Sequence, residues 1–160
     1  MEITTPQFDP VKYKNTTHDQ WQSAAEAWFR WSPTLNQWLG KATETMLEMA
    51  GISTGHRVLD VAAGAGEQSI TTAKKVGATG YVLATDISSN ILEFAKQMAK
   101  QAGLENIETK VMDGENLTVP DTTFDAVISR VGLIYFPDQQ KALREMLRVL
   151  KPGGKVAAIV

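Results

Sequence analysis

The chain has 160 residues, a net charge of −2 at neutral pH, 43% hydrophobic residues and no cysteine. This length suits one domain with a sizeable core, and the lack of cysteine excludes disulfides, thiolate metal sites and cysteine nucleophiles. The charge argues against a nucleic-acid partner, and the two histidines are too far apart in sequence to indicate a metal site. The N-terminus has no apolar signal region, and no window approaches the roughly 18 apolar residues of a membrane span. We therefore expect a cytoplasmic protein with no membrane partner.

The N-terminal third divides into a polar stretch and a tryptophan-rich stretch. Residues 1–20 are polar and are interrupted by Pro6 and Pro10, which predicts a loose arm. Residues 21–51 contain all four tryptophans and two helical patterns separated by Pro33. Gly51 is a natural helix end. We expect two helices here, preceded by an irregular arm.

From Arg57 onward, short apolar segments alternate with helical patterns. The predicted strands are "RVLDVAA", "YVLATD", "NIETKVMD", "FDAVISR" and "KVAAIV". The helices between them are "EQSITTAKKVG", "SSNILEFAKQMAKQAG" with a Ser or Asn cap, and "DQQKALREMLRVLKPGG" with Asp138 as cap and "KPGG" as terminator. This alternation predicts an α/β fold: a doubly wound, mainly parallel, Rossmann-like sheet of about five strands with helices on both faces. Such sheets bind ligands beyond the carboxyl ends of their strands.

The first strand ends in an acid followed by a loop of small residues. Asp60 precedes "VAAGAG", in which small side chains let the backbone approach a ligand closely. The helix that follows directs free N–H groups toward such a ligand. The alternative is a tight strand–helix turn that needs glycine only for its geometry.

Two further acids end the second and third strands. Asp86 lies 86 − 66 = 20 residues after Gly66, which suits an acceptor for ribose hydroxyls. The alternative for Asp86 is a helix N-cap, although serines beside it can also cap. Asp113, before Gly114, is either a turn residue or an acceptor for an adenine amino group.

The three acids together favour a nucleoside with a cationic tail. A dinucleotide would place its pyrophosphate beside Asp60, which would repel it. The third glycine of a dinucleotide fingerprint is also missing, because Ser69 or Glu67 stands there, depending on where the count begins. S-adenosylmethionine has a suitable tail, with an ammonium and a sulfonium. Asp60 would balance that tail and fix the loop.

The segments "VLDVAAGAGEQS", "VLATDIS", "VMDGENLTVPDTTFDAVISRVGLIYFPD" and "EMLRVLKPGGKVAAIV" occur in this order. With them the chain resembles the class I S-adenosylmethionine-dependent methyltransferases over roughly residues 40–160. It is most similar to the small-molecule branch that includes the ubiquinone/menaquinone C-methyltransferases. The resemblance implies S-adenosylmethionine as cofactor, S-adenosylhomocysteine as product and methyl transfer to a small-molecule acceptor.

The resemblance also implies site residues. The glycine-rich motif would surround the methionine moiety, the acid of the second strand would bind ribose with its neighbour packing on adenine, and the "DG" pair would meet the adenine edge. Backbone groups at the end of strand four would meet the methionine amino group, and an N-terminal helix would cover the cofactor. The implied cofactor-binding residues are Trp28, Asp60, Ala62, Gly64, Gly66, Asp86, Ile87, Asp113, Gly114 and Ser129. For Trp28 and Trp31, ordinary helix packing is the alternative.

The resemblance divides the chain at residue 50. Residues 1–50 would form the arm and cofactor-capping helices, and residues 51–160 the S-adenosylmethionine-binding core. Ala62 replaces the first motif glycine. Family members continue past strand five, so we expect a truncated chain, inactive by itself if the missing segment is needed. A non-catalytic cofactor-binding fragment is one alternative function, and a nicotinamide-dependent oxidoreductase is another.

No catalytic residue is assigned from the sequence. The polar candidates are His18, Tyr135 and Arg130, for which surface exposure or core packing is the alternative. Residues 155–160 would leave an apolar strand edge, and such an edge pairs with other chains. We therefore expect self-association there, unless the N-terminal helices cover the edge.

Overall fold

Five parallel strands form one sheet at the centre of the molecule. The computed structural model describes residues 7–160. The strands are β1 (Arg57–Val61), β2 (Tyr81–Asp86), β3 (Ile107–Val111), β4 (Phe124–Arg130) and β5 (Leu150–Ile159). Their order in the sheet is β3-β2-β1-β4-β5, and every neighbouring pair is parallel. The expected strands and sheet are therefore confirmed. The strand order reverses between β1 and β4, which is where such sheets bind ligands.

In the part of the chain that the structure describes, five α-helices flank this sheet. They are α1 (Pro10–Arg30), α2 (Ser32–Met49), α3 (Glu67–Val76), α4 (Ser89–Gln101) and α5 (Gln139–Arg148), with a short 3-10 turn at Leu133–Tyr135. Two expected caps are confirmed: Ser88 Oγ accepts from the backbone N–H of Ile91, and Asp138 from that of Lys141. None of the helices within residues 7–160 is both long and apolar enough to cross a bilayer.

The expected loose arm is wrong for residues 10–20, which form the first half of α1. Asp9 caps this helix, because its Oδ1 accepts from the backbone N–H groups of Val11 and Lys12, both at 3.0 Å. Pro10 then occupies the first helical position, where proline is favourable because its missing N–H would have no partner there anyway. The proline therefore begins the helix. Residues 1–6 of the expected arm lie outside the described residues.

The segment "KPGG" was expected to terminate a helix, and this is wrong. Helix α5 ends at Arg148, and residues 151–154 belong to β5. The backbone N–H groups of Thr123 and Phe124 both donate to Val149 O, which draws this segment alongside β4. Strand β5 is outermost in the sheet, where a proline that cannot donate to a ladder is tolerated. The pairing has a register shift between Phe124 and Ala126.

Two apolar clusters hold the helices against the two faces of the sheet. Alternation along β1 directs Val58 into one cluster, with residues of α2 and α3, and Leu59 and Val61 into the other, with Met146 of α5. Asp60 falls on the same side as Val58 and meets the first turn of α3. The acid at the end of β1 is therefore buried between the sheet and a helix.

The packing of α3 on α4 can be tested by substituting two glycines, Gly66 and Gly103, and comparing the losses of stability. Gly66 has a φ of 92°, and a Cβ there would lie 2.9 Å from Ala95 Cβ and 3.2 Å from its Cα. Gly103 has a φ of 65°, and a Cβ there would meet open space. We expect Gly103→Ala to lower the free energy of unfolding by about 1–2 kcal/mol through backbone strain alone. Gly66→Ala should cost more, because α4 would have to move. Urea denaturation measures both, and equal losses would contradict this packing.

Candidate functional site

A cavity opens at the carboxyl ends of β1 to β4 and is closed on one side by α1. Its volume is about 890 Å³ when its open mouth is included. Its wall combines the small-residue loop after β1, the strand ends that carry acids, and aromatic side chains. The lining residues are Lys14, Thr17, Trp21, Trp28, Leu39, Ala62, Ala63, Gly64, Gln68, Asp86, Ile87, Ile91, Met112, Asp113, Gly114, Arg130, Val131, Gly132, Tyr135, Phe136 and Pro137.

The loop after β1 forms the floor of this cavity. Gly64 has a φ of 60°, and a Cβ there would lie 3.3 Å from Trp28 Nε1. Trp28 therefore lies directly over the loop. Ala62 has a φ of 59°, and Val131, which directly follows β4, has a φ of 60°. Positive φ is rare for non-glycine residues, above all for a β-branched one, and such strain is concentrated at functional sites.

Asp60 lies behind the loop and does not line the cavity. Its carboxylate is fully buried and accepts hydrogen bonds from Ser69 Oγ and, at 3.3 Å, from Gln68 Nε2. Burial raises the pKa of Asp60 to about 7, against the opposing effect of these hydrogen bonds. Both donors belong to α3, so Asp60 fixes the strand end to the helix. Asp60 could interact with a cationic ligand tail only through the loop that separates it from the cavity, and this interaction stays a prediction.

Asp86 lines the cavity and also holds the loop in place. Its Oδ2 accepts from the backbone N–H of Gly64 and its Oδ1 from that of Ser88, both at 3.0 Å. Helix α4 is capped by Ser88, so the N-cap alternative for Asp86 is not needed. Burial raises the pKa of Asp86, although these backbone donors oppose the shift. Each carboxylate oxygen keeps a second lone pair that can accept from a ligand.

Asp113 lies at the far end of the cavity and is paired with α1. Lys14 Nζ donates to Asp113 Oδ2 at 2.7 Å and to Glu115 Oε2 at 2.8 Å. Asp113 Oδ1 also accepts from the backbone N–H of Glu115, as in a turn. Burial lowers the pKa of Lys14, but the two carboxylates outweigh it and hold that pKa above its usual value. Both expected roles for Asp113 are therefore compatible with its position.

Helix α1 closes the cavity through polar and aromatic contacts. Gln22 Oε1 accepts from Ser88 Oγ and from the backbone N–H of Asn90, so α1 binds the start of α4. The ring of Trp21 makes edge contacts with Trp28 and Tyr135, with centroids 5.1 and 5.3 Å apart. These rings form an apolar wall opposite the loop.

The end of the cavity beside α3 is polar. Arg130, at the end of β4, donates through Nη2 to Glu67 Oε2 at 2.8 Å and through Nη1 to Thr43 Oγ1 at 3.4 Å. Both partners of this ion pair are buried. Beside them, the Gln68 amide nitrogen donates to Ala63 O at 3.0 Å and to Asp60 Oδ1.

The cavity brings together most of the residues expected to bind a cofactor. Asp60, Gly66 and Ser129 do not line it, and neither does Trp31, which is exposed. Of the catalytic candidates, Tyr135 and Arg130 line the cavity. His18 does not line it, and its Nδ1 lies 3.0 Å from Asp19 Oδ1. The expected binding residues in the wall are Trp28, Ala62, Gly64, Asp86, Ile87, Asp113 and Gly114.

Sequence reasoning missed Lys14, Trp21 and Gln68. A signal for the first two is present: Lys14, Trp21 and Trp28 are spaced seven residues apart, which places them on one face of a helix. We did not recognise this helix face, because residues 1–20 were expected to form a loose arm. No sequence signal distinguishes Gln68 from an ordinary polar helix residue.

Residues 36–160 match the model of the ubiE/COQ5 methyltransferase family. The chain belongs to this family. It is 40% identical over 116 residues to a demethylmenaquinone methyltransferase of Listeria welshimeri, covering 72% of this chain and 49% of the relative. It is also 40% identical over 114 residues to a ubiquinone/menaquinone biosynthesis C-methyltransferase of Pseudomonas fluorescens, covering 71% of this chain and 44% of the relative. The chain thus spans about half the length of these curated relatives.

Solved structures agree with this family membership. A SAM-dependent methyltransferase from Aquifex aeolicus aligns with a TM-score of 0.64 and 27% identity, covering 91% of this chain and 69% of that one. An arsenic(III) S-adenosylmethionine methyltransferase from Chlamydomonas reinhardtii aligns with a TM-score of 0.62 and 36% identity, covering 67% and 38%. The family and these neighbours imply S-adenosylmethionine as the cofactor, as the sequence led us to expect.

The buried acid behind the loop gives a pH dependence that can be measured. Because the pKa of Asp60 is raised from 3.8 to about 7, the folded protein binds this proton more tightly than the unfolded chain does. Its contribution to stability is therefore present below pH 3.8 and is lost as the pH rises toward 7. Asp60→Asn removes this titration. We expect the variant to gain stability relative to the wild type between pH 4 and pH 7, measured by urea denaturation.

Asp125→Asn is the control. Burial alone would raise the pKa of Asp125, but hydrogen bonds from the Arg57 backbone N–H and from Lys151 Nζ outweigh it and hold that pKa below its usual value. Its variant should instead lose relative stability as the pH rises from acidic values, since an acid with a lowered pKa stabilises the folded state only once ionised. Parallel pH profiles for the wild type and Asp60→Asn would contradict the raised pKa.

Proposed function

We propose that the chain binds S-adenosylmethionine in the cavity and transfers its methyl group to a small aromatic acceptor. In this proposal residues 1–50 supply the helices that cover the cofactor and residues 51–160 supply the binding core. The observation that carries it is the position of Asp86. This acid ends β2, lines the cavity and holds the small-residue loop through the Gly64 N–H at 3.0 Å.

The shape and chemistry of the cavity support the nucleoside half of this ligand. Asp86 has free lone pairs for the ribose hydroxyls, and Ile87 beside it offers an apolar surface to adenine. Asp113, across the cavity, can accept from the adenine amino group. The backbone between Ala62 and Gly64 carries almost no side chains, so a ligand can approach it closely.

The reaction requires positioning more than acid–base chemistry. Bound S-adenosylmethionine supplies a methyl group on a sulfonium, and its leaving group is a neutral thioether. The protein's part is to hold the acceptor in line with that methyl group and to keep water out. Trp21, Tyr135 and Phe136 line the cavity, and such rings suit both tasks. Tyr135 is the side chain in this wall best suited to contact an acceptor oxygen.

The aromatic wall also supports the acceptor class. Flat rings pack against tryptophan and tyrosine in edge or stacked arrangements. The relatives named above are demethylmenaquinone and ubiquinone/menaquinone methyltransferases, which adds support for a quinol-type acceptor. Family membership also favours methyl transfer over the nicotinamide-dependent alternative.

Calorimetric titration tests the cofactor. We expect S-adenosylhomocysteine to bind and NAD not to bind. Asp86→Ala should weaken S-adenosylhomocysteine by about one to two decades, because hydrogen bonds to a carboxylate contribute roughly 1.5–3 kcal/mol. Asp125→Asn, far from the cavity wall, is the control and should bind as the wild type does. NAD binding without any response to S-adenosylhomocysteine would overturn the proposed cofactor.

Turnover tests the acceptor. With radiolabelled S-adenosylmethionine and a reduced naphthoquinone that lacks its ring methyl group, we expect label in the organic phase. Binding of S-adenosylhomocysteine without turnover on a panel of quinols, phenols and amines would instead favour the non-catalytic alternative.

Self-association and location are also part of the proposal. Strand β5 ends the sheet within residues 7–160, and α2 packs near it. We propose that residues 155–160 pair with a second chain, since an apolar edge strand is a template for pairing. Light scattering should then show a mass that rises with concentration. A constant monomer mass at high concentration would contradict this pairing. A cytoplasmic location remains a prediction.

A further inference from the structure

A largely apolar stripe of exposed side chains runs along α2. Its positions are alternately four and three residues apart, the spacing by which helices pack side by side in coiled coils. Five of the six side chains are exposed, and Leu35 is half-buried. The largest are Trp38, Met49 and Trp31, which are 77%, 69% and 58% exposed. We call this stripe the α2 seam; its residues are Trp31, Leu35, Trp38, Ala42, Thr45 and Met49.

The seam points sideways from the body of the molecule. Around the helix axis it is centred roughly a quarter-turn from the buried face of α2. That buried face includes Met46 and Leu47 and packs on β5, the outermost strand of the sheet. Helix α2 also packs beside α3. Because the seam is exposed, it lies on the side of α2 away from α3, beyond the edge of the sheet.

Two opposite charges lie along one border of the seam. Lys41 precedes Ala42 and Glu48 precedes Met49, so the two charges are seven residues apart on the same side of the helix. Both side chains are exposed, and neither forms an ion pair within residues 7–160. Their separation along the axis is about 10 Å, which keeps them apart in one chain. Both charges are therefore open to a second molecule.

The seam is complementary to itself when two copies run antiparallel. If Ala42 lies opposite Thr45 of a second copy, then Trp38 lies opposite Met49, because four residues back along one helix match four residues forward along the other. The small residues then meet in the middle and the large ones at both ends. In this register the flanking charges also match, since Lys41 of each copy lies beside Glu48 of the other.

A parallel pair of seams has no such charge match. It would place Lys41 of one copy near Met46 of the other, and Met46 is buried and uncharged. The flanking charges therefore favour the antiparallel arrangement over the parallel one.

We propose that the α2 seam binds the α2 seam of a second copy of this chain, antiparallel, in a two-fold symmetric dimer. The same patch meets itself, as a closed dimer requires. The Thr45 hydroxyl already donates to Lys41 O at 3.1 Å, so burying it leaves no donor without a partner. Isolated helices of this length are marginal, but α2 is already folded on the sheet, so no helix has to form on binding.

The short contact sets the expected strength of the dimer. Residues 38–49 of the two helices overlap over about 18 Å, and such a small interface is typical of a transient pair. The dimer depends on neither the cofactor nor the acceptor proposed above. It also differs from the proposed pairing of residues 155–160, because its contacts lie in α2. Variants of α2 therefore distinguish the two surfaces.

Reversing the flanking charges tests the register. Lys41→Glu leaves only acids along the two facing borders, and Glu48→Lys leaves only lysines. Each variant alone should raise the dimer dissociation constant by about 10-fold, because two attractive contacts become repulsive. An equimolar mixture of the two variants should dimerise as tightly as the wild type, since every acid then faces a lysine. Sedimentation equilibrium of the full chain from about 1 μM to about 1 mM measures each constant.

Trp38→Ala tests the apolar contact. It removes the largest side chain of the seam twice in each dimer and should raise the dissociation constant by at least about 30-fold. Lys74→Glu and Glu105→Lys are the matched controls, because they make the same charge changes at exposed positions outside α2. Both controls should dimerise as the wild type does. All five substituted residues are exposed, so every variant should keep the circular dichroism spectrum of the wild type.

Three results would overturn the proposal. Self-association that no α2 variant weakens would belong to another surface, such as the edge of β5. Loss of association in the single charge variants without recovery in their mixture would exclude the antiparallel register. A wild type that stays monomeric up to about 1 mM would exclude a second copy as the partner of the seam. If that monomer bound phosphatidylcholine vesicles and Trp38→Ala did not, the seam would be a membrane-docking face instead.

Discussion

The site depends on one buried carboxylate, that of Asp60 at the end of β1. A carboxyl group is costly to bury unless it is hydrogen-bonded, and the partners of Asp60 are Ser69 and Gln68 in α3. These bonds fix the end of a strand to the beginning of a helix. The same Gln68 amide also donates to Ala63 O. The loop after β1 has almost no side chains of its own, so its backbone is held in place by the hydrogen bonds of Asp60 and Gln68.

Helix α1 is a second constraint, and it shares residues with the cavity. Lys14 joins it to Asp113, and Gln22 joins it to Ser88 beside Asp86. Asp113 and Asp86, which we expect to contact adenine and ribose, thus lie next to the contacts that attach α1 to the rest of the molecule. Asp113 therefore lies both in the cavity wall and in the contact that joins α1 to the rest of the molecule.

The backbone is strained directly after both β1 and β4, where the two segments pack against each other. Ala62 and Val131 both have positive φ, a conformation that costs of order 1–3 kcal/mol for such residues. A Cβ on Gly132 would lie 2.3 Å from Ala62 Cβ, so this glycine leaves room for the alanine. Val131 is held by its N–H, which donates to Ile159 O at 2.7 Å. The alanine in place of the first motif glycine is therefore accommodated by a glycine far along the chain.

The sequence by itself determined the alternation of strands and helices and the parallel sheet, because both follow from local periodicity. It also determined that Asp86 and Asp113 lie at the same edge of the sheet, because the carboxyl ends of parallel strands share one edge. Only the tertiary structure decided which polar side chains line the cavity. Asp60 faces α3 because its partners, Gln68 and Ser69, lie on that side of β1. Lys14 reaches Asp113 across 99 residues of sequence. No local pattern encodes such contacts, because a side chain's direction depends on which distant element packs against it.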